Sequence, residues 1–305
     1  MGAGSTLMSV LAPALEFIEP AVPGDIFPFF FTLEIFQRAL IASILVTIVA
    51  GFLGSFLLIR NLALMGDGLA HVSFGGIAVG LVLGATSPLW YALFFSTLAS
   101  ILIHEMQSRE ILTGDASIAI FLTGVLALGL VVTQLWGGGI TSEIEGYLFG
   151  SLLLIDPASF DLIVIVSIAS LLFLCLFYHV LLASAIDPIS VQIQGIPVRQ
   201  ISLSFAVVTA AVVTSMVQVV GTLLVTALLV TPAATGQIMG GSFRSCIIWT
   251  QVSGLSSVII GLYLSAELEV GSGSMIALVT ASIFSLTLIS KTIIPPLIRS
   301  NLLDQ

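Results

Sequence analysis

The sequence predicts an all-α, polytopic integral membrane protein of about 8–9 transmembrane helices, with its N-terminus outside and its C-terminus cytoplasmic. Three observations carry that expectation. Of 305 residues, 58% are hydrophobic and only 8% charged, with mean hydropathy +1.23; a soluble domain carries about 25% charged residues. Apolar runs of about 20 residues, the length that crosses a bilayer's hydrocarbon core, recur along the chain. Nearly all the basic residues fall on alternate connections between those runs.

The elements follow in order. Residues 1–35 read as an acidic, non-spanning segment whose first 25 residues or so carry Glu16, Glu19, Asp25 and three prolines (Pro13, Pro20, Pro23). A short interfacial helix over Leu7–Leu15 fits there, too short to span. The first basic residue is Arg38, so the basic start of a secretory signal is missing. Residues 36–305 read as one transmembrane domain, with spans expected at 36–59, 68–84, 88–106, 117–136, 160–183, 201–219, 222–239, 246–266 and 274–290. The second and seventh are short and glycine-rich, so one of them is a candidate for a broken or re-entrant segment. Arg60, Arg109, Arg199, Arg244, Lys291 and Arg299 follow spans one, three, five, seven and nine and so share a side. The positive-inside rule makes that side cytoplasmic. The other side receives the acidic lead-in, Glu143 with Glu145, and Glu267 with Glu269.

Several chemistries are excluded. The chain has no G-x-x-x-x-G-K-[ST], and its single lysine is Lys291, so it has no P-loop of its own. No basic patch suits nucleic acid. Cys175 and Cys246 sit in or near apolar runs and read as small buried hydrophobes, without a disulfide framework or a cysteine metal site.

Three stretches carry chemistry. In "NLALMGDGLAHVSFGG" (61–76), Asp67 and His71 are four residues apart and project from one helix face. Carboxylate and imidazole are both ligands for zinc and manganese, and an ionisable group within a span is costly enough to point to function. A simple Asp–His pair near the interface fits the spacing too, as does a proton relay. Gly75 continues the stripe and would leave room beside His71, while Gly76, Gly80 and Gly84 form a small-residue ridge. Thr231, Thr235, Gln218, Ser73 or a backbone carbonyl could complete a metal site. His104 and His179 lack an acid four residues away and read as packing or interfacial residues. In "AIDPISVQIQGIPVRQI" (185–201), Asp187 is a good N-cap, Pro188 suits the first turn and Gly195 the stop, which describes a helix of about two turns. Ile189 and Ile193 share one of its faces. In "VVGTLLVTALLVTPAATGQI" (219–238), Pro232 interrupts a span, and Thr231 and Thr235 could line a pathway; a structural kink fits equally well.

Taken in order, these stretches, with "YLFGSLLLI" and "VGSGSMIALV", resemble the permease subunits of prokaryotic zinc and manganese ABC importers. The likeness covers about Phe36 to Ile294. It implies a homodimer around a central pathway in the cytoplasmic (inner) membrane, two separate ATPase subunits that bind ATP on the cytoplasmic face, and an extracytoplasmic metal-binding protein. It implies no permanently bound cofactor and zinc or manganese as cargo. The family's Asp and His fall on Asp67 and His71, and its ATPase-docking loop on Asp187, Pro188, Ile189, Ile193, Gly195 and Ile196. The chain departs from the family pattern at Ile189 and Ser190, where an acid is common, and at Gly236 and Gln237, where a small residue and arginine are. The wording of "GDGLAHVSFGGIAVG" and "YLFGSLLLI" favours zinc over manganese or iron. The rival expectations are a proton-coupled secondary transporter with Asp67 and His71 as relay, an importer of bulky chelates, and a non-transporting scaffold.

Overall fold

A computed structural model describes residues 2–137, 142–151 and 155–293. Among these every regular element is helical. Among the described residues, nine segments are long and apolar enough to cross a membrane: α3 (Glu34–Ile59), α4 (Ala63–Val82), α5 (Leu89–Ser108), α6 (Gly114–Trp136), α8 (Pro157–Leu176), α11 (Val198–Val220), the composite segment Thr222–Met239, α14 (Phe243–Glu267) and the segment Ser272–Lys291, which contains α15 (Ser272–Leu288). The chain is a multi-pass membrane protein. Shorter helices complete it: α1 (Ala3–Ile18), α2 (Phe29–Thr32), α7 (Ser142–Phe149), α9 (Tyr178–Ile186), α10 (Pro188–Ile193), and α12 (Val225–Leu229) and α13 (Thr231–Met239) within the composite span. Arg299 and the side chain of Glu143 lie outside the described residues.

Helices α3, α4 and α11 form the centre and are the most buried of the nine; α6 is the least buried. In membranes helices gain little from apolar burial against each other, so close approach and hydrogen bonds must hold them. Both are present. The Ser73 and Ser96 hydroxyls each meet the Thr214 hydroxyl, at 2.9 and 2.7 Å, which ties α4 and α5 to α11 in the buried interior. Gln218 on α11 donates to Ser159 on α8 at 3.0 Å. At Gly75 a Cβ would sit 2.5 Å from the Val125 carbonyl oxygen, and Gly129 faces the Gly75 Cα in turn, so α4 and α6 touch backbone to backbone.

The two ends of the bundle differ. At one end Arg199 binds both carboxylate oxygens of Glu105, at 2.8 and 2.7 Å, and Arg109 adds a contact at 2.6 Å. Arg60 reaches Ser184 there, and Phe56, Tyr178, Phe205 and Phe243 cluster beside it. At the opposite end the N-terminal segment is fastened by two carboxylates. Asp161 accepts from Gly4 N at 2.7 Å, and Glu267 accepts from the backbone of Asp25, Ile26 and Phe27. Also at that end, Gly150, Gly221 and Gly273 meet at the Val220 carbonyl; a Cβ on any of the three would fall within 2.5 Å of backbone. Those glycines come from three of the sequence stretches singled out above, and nothing in their spacing predicted that they touch.

Four expectations change. The N-terminal helix runs Ala3–Ile18 rather than Leu7–Leu15, and with Pro13 inside it packs along α8; at about 24 Å it is still short of a span. The fifth span ends at Leu176, because Tyr178 turns away to stack on Phe243 and begins α9. The second span is continuous and the seventh is the broken one. The break falls at Val230, so Pro232 sits in the first turn of α13, where its missing N–H costs nothing. Cys175 is exposed on the bundle's flank, while Cys246 is buried as expected.

Candidate metal pathway and docking helix

Helix α4 is buried on most of its surface. Asp67 and His71 lie on the one strip near its start that stays partly open, with side chains 32% and 15% exposed. The His71 Nδ1 is 3.0 Å from the Asp67 backbone carbonyl and 3.8 Å from its carboxylate. A carbonyl can only accept, so this contact places the imidazole proton on Nδ1. The lone pair is then on Nε2, free for a cation. Histidines that bind metals commonly donate their other nitrogen in this way, which fixes the ring. The chain thus presents one imidazole nitrogen and one carboxylate on a common strip. Among the described residues no cluster of three or more His, Cys, Asp or Glu is placed to hold a metal ion; the pair by itself offers two of the four ligands that a tetrahedral site takes.

Of the expected extra oxygens, several are engaged elsewhere. Ser73 is held by Thr214; Gln218 donates its Nε2 to Ser159, while its Oε1 is buried without a partner. Thr235 donates to the Thr231 carbonyl at 2.9 Å, and the Pro232 carbonyl accepts from Ser253 on α14 at 3.3 Å. Pro232 and Thr235 are buried beside α14, and no hydrogen bond joins them to Asp67 or His71 among the described residues. The composite span does meet the start of α4, where Leu229 fills the space beside Gly66. The room expected beside His71 at Gly75 is taken by the α6 backbone, and Gly84 is no ridge residue: its φ of 70° ends α4, with nothing within 4 Å of its Cβ position.

At the arginine end, Asp187 caps α10 by accepting from Ile189 N and Ser190 N, both at 3.1 Å, and from the Ser190 hydroxyl. These bonds, the Ser190 hydroxyl first, hold the Asp187 carboxyl below its usual range. Gly195, at φ 80°, stops the helix, followed by Ile196 and Pro197. Val191 faces inward, while Ile186, Ile189 and Ile193 are 73%, 70% and 81% exposed. A six-residue helix with a firm cap and two bare isoleucines, next to bare Ile186 at the end of α9, is a preformed knob.

A multi-pass helical protein with an Asp–His pair on an open strip and a protruding capped helix has the form of a transport permease. The chain belongs to the ABC 3 transport family, which it matches over residues 32–291. It is 33% identical to the manganese import system permease protein ScaB of Streptococcus parasanguinis over 248 residues, 81% of this chain and 88% of that protein. It is 32% identical to the manganese transport system membrane protein MntC of Halalkalibacterium halodurans, covering 82% and 85%. Among solved structures it resembles PsaBC from Streptococcus pneumoniae in complex with Fab, with TM-score 0.75, 30% identity, and coverage of 86% and 94%. The zinc preference read from the wording of the motifs finds no support in these relatives, which are named for manganese.

Proposed function

We propose that the chain is the permease subunit of an ATP-driven importer whose cargo is manganese. The single observation that carries the reading is the Asp67–His71 pair on the open strip of α4, with His71 Nε2 free. Two copies facing each other across a central pathway would bring two carboxylates and two imidazoles to one ion. A mixed oxygen and nitrogen set suits manganese as well as zinc, so the ligand types leave the choice to the relatives. A transport site must release as readily as it binds, and ligands on a partly open strip serve that need.

Ile186, Ile189 and Ile193 would enter a groove on a separate ATPase, so that ATP binding there pushes on α10 and, through α9 and α11, on the bundle. The arginine end is then cytoplasmic, in the inner membrane, and an extracytoplasmic metal-binding protein delivers ions at the end where Asp161 and Glu267 fasten the N-terminal segment. The protein itself holds no resident cofactor.

The test is manganese uptake into vesicles holding the permease with its ATPase, using Asp67→Ala and His71→Ala at matched expression. Both variants should lose uptake. Unchanged uptake in both would remove the site, and uptake that persists with an ATPase-dead partner would favour the proton relay instead.

A further inference from the structure

The arginine end contains a second feature that metal import does not use. A cavity of about 260 Å³ lies between the end of α3, the start of α4, the end of α5 and the start of α11. Arg60, Met65, His104, Gln107, Ser202 and Phe205 are among its walls, and no carboxylate is. Arg60 is largely buried. One of its terminal nitrogens donates to the Ser184 hydroxyl at 2.7 Å and the Leu181 carbonyl at 3.4 Å, and the guanidinium carbon lies 4.6 Å over the Phe205 ring. All three partners are uncharged. Among the described residues no carboxylate pairs with Arg60. Two nitrogens of these wall residues, Arg60 Nε and His104 Nε2, are buried behind the cavity surface without a hydrogen-bond partner.

Such an arrangement is out of balance. A buried cation needs a counter-charge, and a buried N–H needs an acceptor. Burial lowers the Arg60 pKa to about 10, which still leaves it charged at neutral pH. The nearest acid on the same helix as His104 is Glu105, and it is already shared by Arg199 and Arg109. The local sum of Arg60, Arg109, Arg199 and Glu105 is therefore positive.

We propose that this cavity binds a phosphate-class oxyanion. The guanidinium offers a planar fork suited to phosphate oxygens. An oxyanion would accept from the Arg60 guanidinium, and Ser202 and the second N–H of Gln107, whose Nε2 also donates to the Gly114 carbonyl, add neutral donors. A tetrahedral anion that accepts from several directions fits these scattered donors better than a planar one. Its source is either free phosphate or the headgroup of an anionic phospholipid, since the cavity sits at the end of the apolar spans. The proposal stands on the cavity alone and does not depend on the cargo.

The experiment uses the full chain purified in detergent, and the same chain in nanodiscs of phosphatidylcholine with or without phosphatidylglycerol. The probes are inorganic phosphate and the anionic lipid, read by thermal melting. Ser202→Asp supplies the missing carboxylate from within, and Arg60→Gln removes the cation. Wild type should melt higher with one of the two probes, which names the source. Ser202→Asp should melt no lower than wild type in probe-free buffer and should weaken the apparent affinity for that probe at least tenfold. Arg60→Gln should weaken it similarly. Two outcomes overturn the proposal: no response to either probe in wild type, or an equal response in wild type and Ser202→Asp.

Discussion

Replacing Gly75 with alanine places a methyl carbon 2.5 Å from the Val125 carbonyl oxygen, 2.7 Å from its Cγ1 and 3.0 Å from its carbonyl carbon. Two of these three neighbours are backbone, so no rotamer change relieves the clash. Ordinary carbon–oxygen contact needs roughly 1 Å more, and α6 must move out by about that much or α4 must rotate. Overpacking of this kind costs about 1–3 kcal/mol. At about 2 kcal/mol the melting temperature falls by roughly 4–8 °C. His71 lies one turn before Gly75 on α4, so manganese uptake should fall beyond the loss of folded protein. Gly124→Ala is the control. It changes the same residue type on α6, with nothing within 4 Å of the new methyl, and alanine is the better helix former. The assay is thermal melting in detergent together with uptake in vesicles. A Gly75→Ala protein that melts within about 1 °C of wild type would refute the reasoning, since the lowest expected shift is larger. So would an equal loss in Gly124→Ala.

Further outcomes are expected. Thr214→Val removes the hydroxyl shared by Ser73 and Ser96, leaves both buried, and should lower stability by about 1–3 kcal/mol in a chemical or thermal melt. Asp187→Ala should reduce co-purification of the ATPase, measured against wild type at equal expression. The folded Asp187 carboxyl titrates below its unfolded value, so the cap is fully present above the ordinary carboxylate range and fails only as pH falls through the lowered value. ATPase co-purification through this helix should therefore hold steady from neutral pH down to about pH 5. Glu267→Gln should speed hydrogen exchange at the Asp25, Ile26 and Phe27 amides, with exchange at Gly4 unchanged because a different carboxylate holds it.

What the sequence made legible is what a single helix or a single run determines. Hydropathy and the side taken by the arginines located the spans, because burial cost in lipid acts on each segment separately. The Asp67–His71 pairing was readable because helical geometry sets the i, i+4 relation. The Asp187 cap was readable for the same reason, being a contact within three residues. The Glu105–Arg199 clasp joins positions 94 apart and the Asp161–Gly4 bond positions 157 apart; neither leaves a local trace. Gly75 was read as open space because its spacing fits both a vacancy and a contact, and only the path of α6 decides between them. Pro232 was read as an interruption because proline is scarce in helix interiors, whereas the chain breaks two residues earlier and uses proline to begin the next helix.

The crossing of Gly150, Gly221 and Gly273 bears on how the protein is made. Its third member stands at the start of the last span, 52 residues after the second and 123 after the first. While the chain emerges from the ribosome, that end of the bundle stays open until the ninth span has entered the membrane. Closure of the crossing therefore reports that the ninth described span is in place. A side chain at any of the three positions would prolong the interval in which a nearly finished chain is exposed to membrane proteases. Substitutions there should appear first as low abundance, before any defect in the transport cycle itself.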